Sequence, residues 1–352
     1  MKIQTVVGAR PQFVKAAMLA SAFARLRESR HDVEHQIVHT GQHYDAKMSG
    51  AFFEELGIPE PVSNLGVAGG THGEMTGAML PLLEREIRDS AADCVVVIGD
   101  TNSTMAAALA AAKLCVPVAH VEAGMRHYKR DIPEEINRVV TDHLSDLLFC
   151  SSEHSRKALE REGITEGVSV PGDVSYDLFL WQAKKLVEPK IEGEFAACTI
   201  HRAANTDDGD RLRSILGALA ECPIPVVLPM HPRTVKSIER HGAAVPANVR
   251  VLEPVNHAEM LGLVAASRFV VTDSGGLQKE AYFSGKRCIT LSEVSPWQEL
   301  IDLDADLLVG ADRRKIVAAF EWAMRPLAAT PRPYGEGDAA DRMAAAIVEY
   351  LT

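Results

Sequence analysis

Residues 93–98 read DCVVVI, and after the first residue the run is apolar without alternation. A strand with one wet face alternates apolar and polar residues, so an unbroken run implies a strand covered on both faces. Such strands belong to parallel sheets with helices on either side. The theme repeats along the chain. Strand-like runs fall at 2–7, 116–121 and 146–150 in the first half, and at 195–200, 225–230, 249–252, 268–272 and 287–291 in the second. A helix is expected at about 14–27, after a turn at 8–11, and others at 211–222, 257–266 and 277–284. The expected class is α/β, with two Rossmann-like doubly wound domains facing across a cleft. The first covers 1–172 and the second 173–337. A helix at about 179–186 follows the linker, and a last helix within about 338–352 packs back on the first domain.

The length of 352 residues fits two such domains at roughly 150 residues each. A formal net charge of -11 excludes non-specific nucleic-acid binding, which needs a basic face. It leaves room for a small anionic ligand, which a few local cations can hold. The most apolar stretch, 105–121, carries Lys113 and is too short to span a bilayer. Arg10, Pro11 and Lys15 interrupt any signal-peptide pattern. The six cysteines form no CxxC pair, so reduced and mostly buried thiols are expected. These features point to a cytoplasmic enzyme with neither membrane nor nucleic acid as partner. No HExxH marks a zinc site and no GxSxG a nucleophilic serine.

Polar residues cluster where the strands end: Gly8-Ala9-Arg10, Gly99-Asp100-Thr101, Glu122-Ala123-Gly124, His201-Arg202, His231-Pro232-Arg233 and Asp273-Ser274-Gly275-Gly276. In parallel sheets, ligands bind beyond the carboxyl ends of the strands. In the turn Thr272–Gly276, two glycines let an oxyanion come close to the backbone, and the helix that follows offers free N–H groups. A plain helix cap by Ser274 or Asp273 is the competing reading. Glu280, one turn further on, either meets ribose hydroxyls or is a solvated helical glutamate. Arg10 offers a planar fork for phosphate, and Lys15 follows it. Asp100, Glu122 and the Glu134-Glu135 pair after Pro133 supply candidate acids and bases, together with His201 and His231. For any one carboxylate alone, a structural role competes.

Taken together, seven segments resemble the non-hydrolysing UDP-N-acetylglucosamine 2-epimerase family. They are VVGARPQFVKAA (6–17), HTGQHYD (39–45), VIGDTNST (97–104), HVEAGMR with PEEINRVVTDH (120–126 and 133–143), TIHRAAN (199–205), PMHPRT (229–234) and TDSGGLQKEA (272–281). The resemblance implies a GT-B-like fold, like that of the two-domain glycosyltransferases, with UDP held between the halves. It implies inversion at sugar carbon 2 of UDP-N-acetylglucosamine. UDP is eliminated to leave a glycal and re-added after a proton returns to the other face. Nothing is oxidised, so no cofactor is implied. It places the catalytic groups at Lys15, Asp100, Glu122, Glu134 and His201. UDP is expected at Arg10, His231, Arg233, Ser274, Gly275, Gly276 and Glu280. A homodimer is also implied.

The chain departs from the family pattern in two places that bear on the sugar. Residues 291–299 read LSEVSPWQE where the family has Leu-Arg followed by Thr-Glu-Arg-Pro-Glu, and 201–208 read HRAANTDD in place of His-Arg-Arg-Glu-Asn. Both point towards epimerases of UDP-2,3-diacetamido-glucuronate as the alternative to UDP-N-acetylglucosamine. A glycosyltransferase on the same scaffold is a further alternative, disfavoured because it has no use for carboxylates at 100, 122 and 134 together with Lys15. The activator segment of bacterial members is matched by Gln42 and His43 but has Tyr44 for the common arginine, so no regulation is carried over.

Overall fold

The computed structural model describes residues 1–29, 32–42, 59–129, 131–328 and 332–352; His43 and Tyr44 lie outside the described residues. The chain divides into two compact units, Met1–Leu178 with Arg332–Thr352, and Phe179–Pro331. The division falls inside the helix Val174–Ala183 rather than at Gly172. Asp177 supplies a reason. Its carboxylate accepts the N–H groups of Ala339 (3.2 Å) and Ala340 (2.7 Å), which open the helix Ala339–Tyr350. That helix packs on Arg10–Ser29, where Arg25 donates to Asp341 at 2.6 Å.

The first unit holds a parallel seven-stranded sheet in the order β3-β2-β1-β4-β5-β6-β7. Its strands are β1 (Lys2–Val7), β2 (Glu34–His39), β3 (Ser63–Asn64), β4 (Cys94–Ile98), β5 (Val118–Ala123), β6 (Leu147–Cys150) and β7 (Val168–Ser169). The second unit holds a parallel six-stranded sheet in the order β10-β9-β8-β11-β12-β13. Its strands are β8 (Ala196–Thr199), β9 (Val226–Pro229), β10 (Val249–Leu252), β11 (Val270–Thr272), β12 (Cys288–Thr290) and β13 (Asp306–Leu308). In each sheet the chain order reverses once, between β1 and β4 and between β8 and β11. Such reversals open a crevice at the carboxyl ends of the strands.

The missing alternation in the sequence has a direct cause. In β8, Ala196 and Cys198 enter one core with Leu212, Leu216 and Phe320, while Ala197 enters another with Val227, Leu263 and Ala281. Both faces are covered, so both sets of positions are apolar. The apolar stretch 105–121 resolves into the helix Asn102–Lys113 followed by β5. The first helix starts at Arg10, not 14, because Pro11 tolerates the first turn, where no N–H is needed. His35 and His39 stand four apart but on a strand, packed against Phe23 (4.7 Å) and Phe13 (4.9 Å). Five cysteines are buried, and Cys115 is exposed. Among the described residues, no helix is long and apolar enough to cross a membrane.

Candidate active site

At the reversal in the first sheet, Gln12 fixes the backbone. Its Oε1 accepts from the N–H of Gly8 (2.7 Å) and Ala9 (3.0 Å), and its Nε2 donates to the carbonyl of Ile98 (2.6 Å). The end of β1 is thereby tied to the end of β4. Gly8 has to be glycine there, since a Cβ would lie 2.0 Å from Ser103 Oγ. One turn past Arg10, Lys15 reaches Glu122, with Nζ 2.5 Å from Oε2. Glu122 lies inside β5 rather than after it, at a shift of register against β6 between Val121 and Ala123. Its φ is 70°, in the left-handed region. A bulge of this kind re-aims a side chain. The backbone conformation costs of order 1–3 kcal/mol, which the surrounding contacts must offset.

Asp100 follows β4. Its Oδ2 accepts from Arg138 Nη2 (2.5 Å) and Nε (3.1 Å), and Asn137 Nδ2 donates to its backbone carbonyl at 2.9 Å. Arg138 also donates to Glu135 Oε2 at 2.9 Å. The neighbours Glu134 and Glu135, both in the first turn of the helix Pro133–Leu144, are separated by burial. Glu135 is 4% exposed and accepts the N–H groups of His127 and Tyr128. Burial works against its charge, but those N–H groups and the Arg138 guanidinium outweigh it and hold the carboxyl below the ordinary range. Glu134 is exposed and makes no hydrogen bond or ion pair among the described residues. Glu135 is a staple for the backbone at His127 and Tyr128, while Glu134 is open to solvent.

In the second unit, Asp273 and His201 sit on either side of the reversal. Thr199 and Thr272, the last residues of β8 and β11, share a hydrogen bond at 2.5 Å. Asp273 is 1% exposed and accepts the N–H of His201 (3.0 Å) and Arg202 (2.9 Å) and the amide of Asn205 (3.1 Å). Its Oδ1 lies 3.3 Å from His201 Nδ1. It does not cap the helix after it; Ser274 does, accepting from the N–H of Leu277 at 3.5 Å. Burial lowers the His201 pKa, with His231, Arg202 and Arg233 adding to the effect and Asp273 opposing it. The ring is therefore neutral near pH 7. His231 lies 5.8 Å away, centroid to centroid, and its Nδ1 accepts the N–H of Arg233.

Gly275 and Gly276 open the helix Gly275–Phe283, so their N–H groups have no partner within it. Arg202 Nη2 comes to 3.4 Å from where a Cβ on Gly275 would lie, which puts a guanidinium beside this turn. Burial raises the pKa of Glu280, with His257, at 3.5 Å, and Lys279 pulling it back. The divergent segment 291–299 is fastened to the same helix. Trp297 Nε1 donates to the carbonyl of Gly275 (2.8 Å), Ser295 Oγ to Gln278 Oε1 (2.6 Å), and Lys279 Nζ sits 3.9 Å above the Trp297 ring.

The structure thus brings Lys15 and Glu122 into contact, sets Arg10 and Asp100 just past strand ends of the same sheet, and puts Glu134 in the first turn of the helix Pro133–Leu144. His201, His231, Arg233, Ser274, Gly275, Gly276 and Glu280 belong to the second unit. Sequence reading passed over Arg138, and named Arg202 and Asp273 only as members of strand-end clusters. Their signal was faint, since each lies inside or beside a segment already noted for another residue. Among the described residues, no group of three or more His, Cys, Asp or Glu side chains is arranged to hold a metal ion.

A family model described as UDP-N-acetylglucosamine 2-epimerase matches residues 25–348. The chain is 45% identical to a UDP-2,3-diacetamido-2,3-dideoxy-D-glucuronate 2-epimerase of Pseudomonas aeruginosa, covering 100% of this chain and 99% of that protein. It is 36% identical to a UDP-N-acetylglucosamine 2-epimerase of Methanocaldococcus jannaschii, again over 100% and 99%. A crystal structure of the Methanocaldococcus jannaschii enzyme in complex with UDP-GlcNAc and UDP is similar at a TM-score of 0.85 and 35% identity, covering 99% of this chain and 100% of that one.

Proposed function

The chain belongs to the UDP-N-acetylglucosamine 2-epimerase family, and from that premise we propose that it inverts carbon 2 of UDP-2,3-diacetamido-2,3-dideoxy-D-glucuronate. General action as an epimerase, an isomerase of UDP-sugars, comes with the family. The particular sugar is the further step. One observation carries it: identity of 45% from end to end with an enzyme named for that sugar, against 36% with one named for UDP-N-acetylglucosamine. The divergent segment 291–299, clamped to the Gly275 turn, supports the same choice. UDP-N-acetylglucosamine, the first expectation from the sequence, becomes the second reading, favoured by the family's own description.

In the proposed reaction a base removes the proton from carbon 2 while the bond from carbon 1 to the UDP oxygen breaks. The electron pair of the C–H bond becomes the carbon 1–carbon 2 double bond, and UDP leaves with the bonding pair of the C–O bond. UDP then re-adds at carbon 1 as an acid delivers a proton to the opposite face of carbon 2. Two proton carriers are needed, and Asp100 and Glu122 are assigned to them, with Lys15 holding Glu122 and Glu134 the third carboxylate at hand. His201, neutral near pH 7 and steadied by Asp273, is assigned to the departing oxygen. Arg10, His231, Arg233, Ser274, Gly275, Gly276 and Glu280 are assigned to UDP, which must stay bound while detached so that the glycal is not lost. The protein is taken to work in the cytoplasm as a homodimer.

Incubation with each of the two UDP-sugars in heavy water, followed by NMR, tests the reading. The expected result is inversion with deuterium at carbon 2, faster by at least about tenfold in kcat/KM for the diacetamido-uronate sugar. Equal or better turnover of UDP-N-acetylglucosamine overturns the choice of sugar. Absence of exchange with both overturns the epimerase assignment, and free UDP accumulating with free sugar marks hydrolysis instead.

A further inference from the structure

His120 is wholly buried in β5, two residues before Glu122. Its Nε2 lies 2.8 Å from the carbonyl oxygen of Gly99. A carbonyl only accepts, so Nε2 carries a proton. Its Nδ1 lies 2.6 Å from Asp142 Oδ1. The other oxygen of Asp142 is already committed as an acceptor, taking Arg126 Nη1 at 2.6 Å and the N–H of Gly124 at 3.2 Å. Arg126 in turn donates twice to Glu162, at 2.7 and 2.6 Å. His120, Asp142, Arg126 and Glu162 thus contact one another in series, and the first is deepest. Burial opposes the charge of Asp142, but His120 and Arg126 outweigh it and hold that carboxyl below the ordinary range.

What this chain of contacts holds is the pair of turns that carry the carboxylates. Gly99, with φ at 68°, precedes Asp100 directly, and a Cβ built on it would lie 3.3 Å from Glu122 Oε2. Gly124, with φ at 78°, follows the bulge at Glu122, and any Cβ there would meet the Ser155 carbonyl at 2.3 Å. His120 grips the first turn through the Gly99 carbonyl, and Asp142 grips the second through the Gly124 N–H. We propose that His120 is a doubly protonated positioning residue that, with Asp142, sets the spacing of Asp100 and Glu122 for proton transfer on two faces of one carbon. The role rests on the epimerase reading. An imidazolium is the form that suits both contacts at once, and a buried pair of this kind is rigid because every member is satisfied.

The test has two arms. In the first, nitrogen-15 NMR of the wild-type ring reads which nitrogens carry a proton. Both do, as the two acceptors require; a ring nitrogen without a proton overturns the proposal. The second arm compares His120→Gln and Asp142→Asn with wild type in heavy water. Glutamine still reaches the Gly99 carbonyl but offers no charge to Asp142. Inversion falls about 100-fold, as a shift of about 1 Å in a reacting group can cause, while UDP affinity stays within about threefold. Exchange of the carbon 2 proton without inversion becomes the larger flux, because one carboxylate still works and the other is out of place. A merely structural role lowers exchange and inversion in proportion, and that result, or no change in either, overturns the proposal. If neither variant folds, the wild-type ring decides it. Absence of carbon 2 exchange in the wild-type enzyme counts against the epimerase reading, not against the state of the ring.

Discussion

Glu122 and Asp100 are held in different ways, and the difference can be measured. Glu122 sits at positive φ with its carboxylate 5% exposed against Lys15, while Asp100 is 26% exposed and shares Arg138 with Glu135. Either is replaced in shape, but not in charge, by its amide. Under the proposed reaction, Glu122→Gln and Asp100→Asn each lower the rate at least about 100-fold, the lower range for a group that moves a proton. A rate near wild type for either variant removes that residue from the mechanism. The consequences for folding differ. Glu122→Gln leaves the Lys15 ammonium, 19% exposed, without its partner, and Asp100→Asn leaves Arg138 still paired with Glu135. The urea midpoint therefore drops more for Glu122→Gln, which equilibrium unfolding reads directly.

Elements were legible in the sequence to the degree that packing, rather than local chemistry, wrote them. The run at 93–98 holds β4, Cys94–Ile98, because a strand covered on both faces has apolar side chains at every position. The bulge in β5 was not legible. Nothing in Val121-Glu122-Ala123 announces a left-handed glutamate, and the Lys15 that meets its carboxylate lies 107 positions away. Arg138 was missed for a related reason. It is separated from Asp100 by 38 positions and meets it only because the helix Pro133–Leu144 returns to the end of β4. The residue types at the site could be read, but which carboxylate was staple and which was free, Glu135 or Glu134, depended on burial.

Two elements carry testable strain. Asp306 in β13 is 2% exposed, with Oδ2 lacking a partner among the described residues, and burial raises its pKa from 3.8 to about 6. A carboxyl raised in the folded state contributes stability that is fully present below the unfolded value and lost as pH rises through the folded one. At pH 7.5 the ionised group therefore withholds about 3 kcal/mol. Asp306→Asn keeps an oxygen for the Thr290 hydroxyl, which donates at 2.6 Å, and needs no charge. It stabilises the protein by about 1–2 kcal/mol at pH 7.5, the unpartnered amide offsetting part of the gain, and by nothing at pH 3.5. A gain independent of pH would refute the account. At the end of the helix His72–Ser90, Ala91 takes a left-handed conformation, with φ and ψ both at 50°. Ala91→Gly relieves the crowding of its Cβ and raises stability by about 0.5–1 kcal/mol, measured by denaturant unfolding.

On the scale of the whole molecule, the two units have separate cores. Leu212, Leu216 and Phe320 lie in one; Met79, Leu83 and Ala106 lie in another. Equilibrium unfolding then need not be two-state, and a ligand gripped by one unit raises the transition of that unit first. The proposed division of labour assigns the turn at 274–276 to UDP and the proton carriers to the other unit. UDP present at about 100 times its dissociation constant adds about 2.7 kcal/mol to the form that binds it. Glu122→Gln should keep that shift in calorimetry while turnover collapses. Gly276→Ala should lose much of that shift. A Cβ on Gly276 meets nothing nearer than Ser274 Oγ at 4.0 Å, so the free protein has room for it and its own transition stays in place or rises. The diphosphate does not have that room if it rests on the backbone, and the UDP shift falls by at least about 1.4 kcal/mol, a tenfold loss of affinity. An undiminished shift in Gly276→Ala would mean that UDP does not lie against this turn, however well its glycines and helix start are suited to an anion.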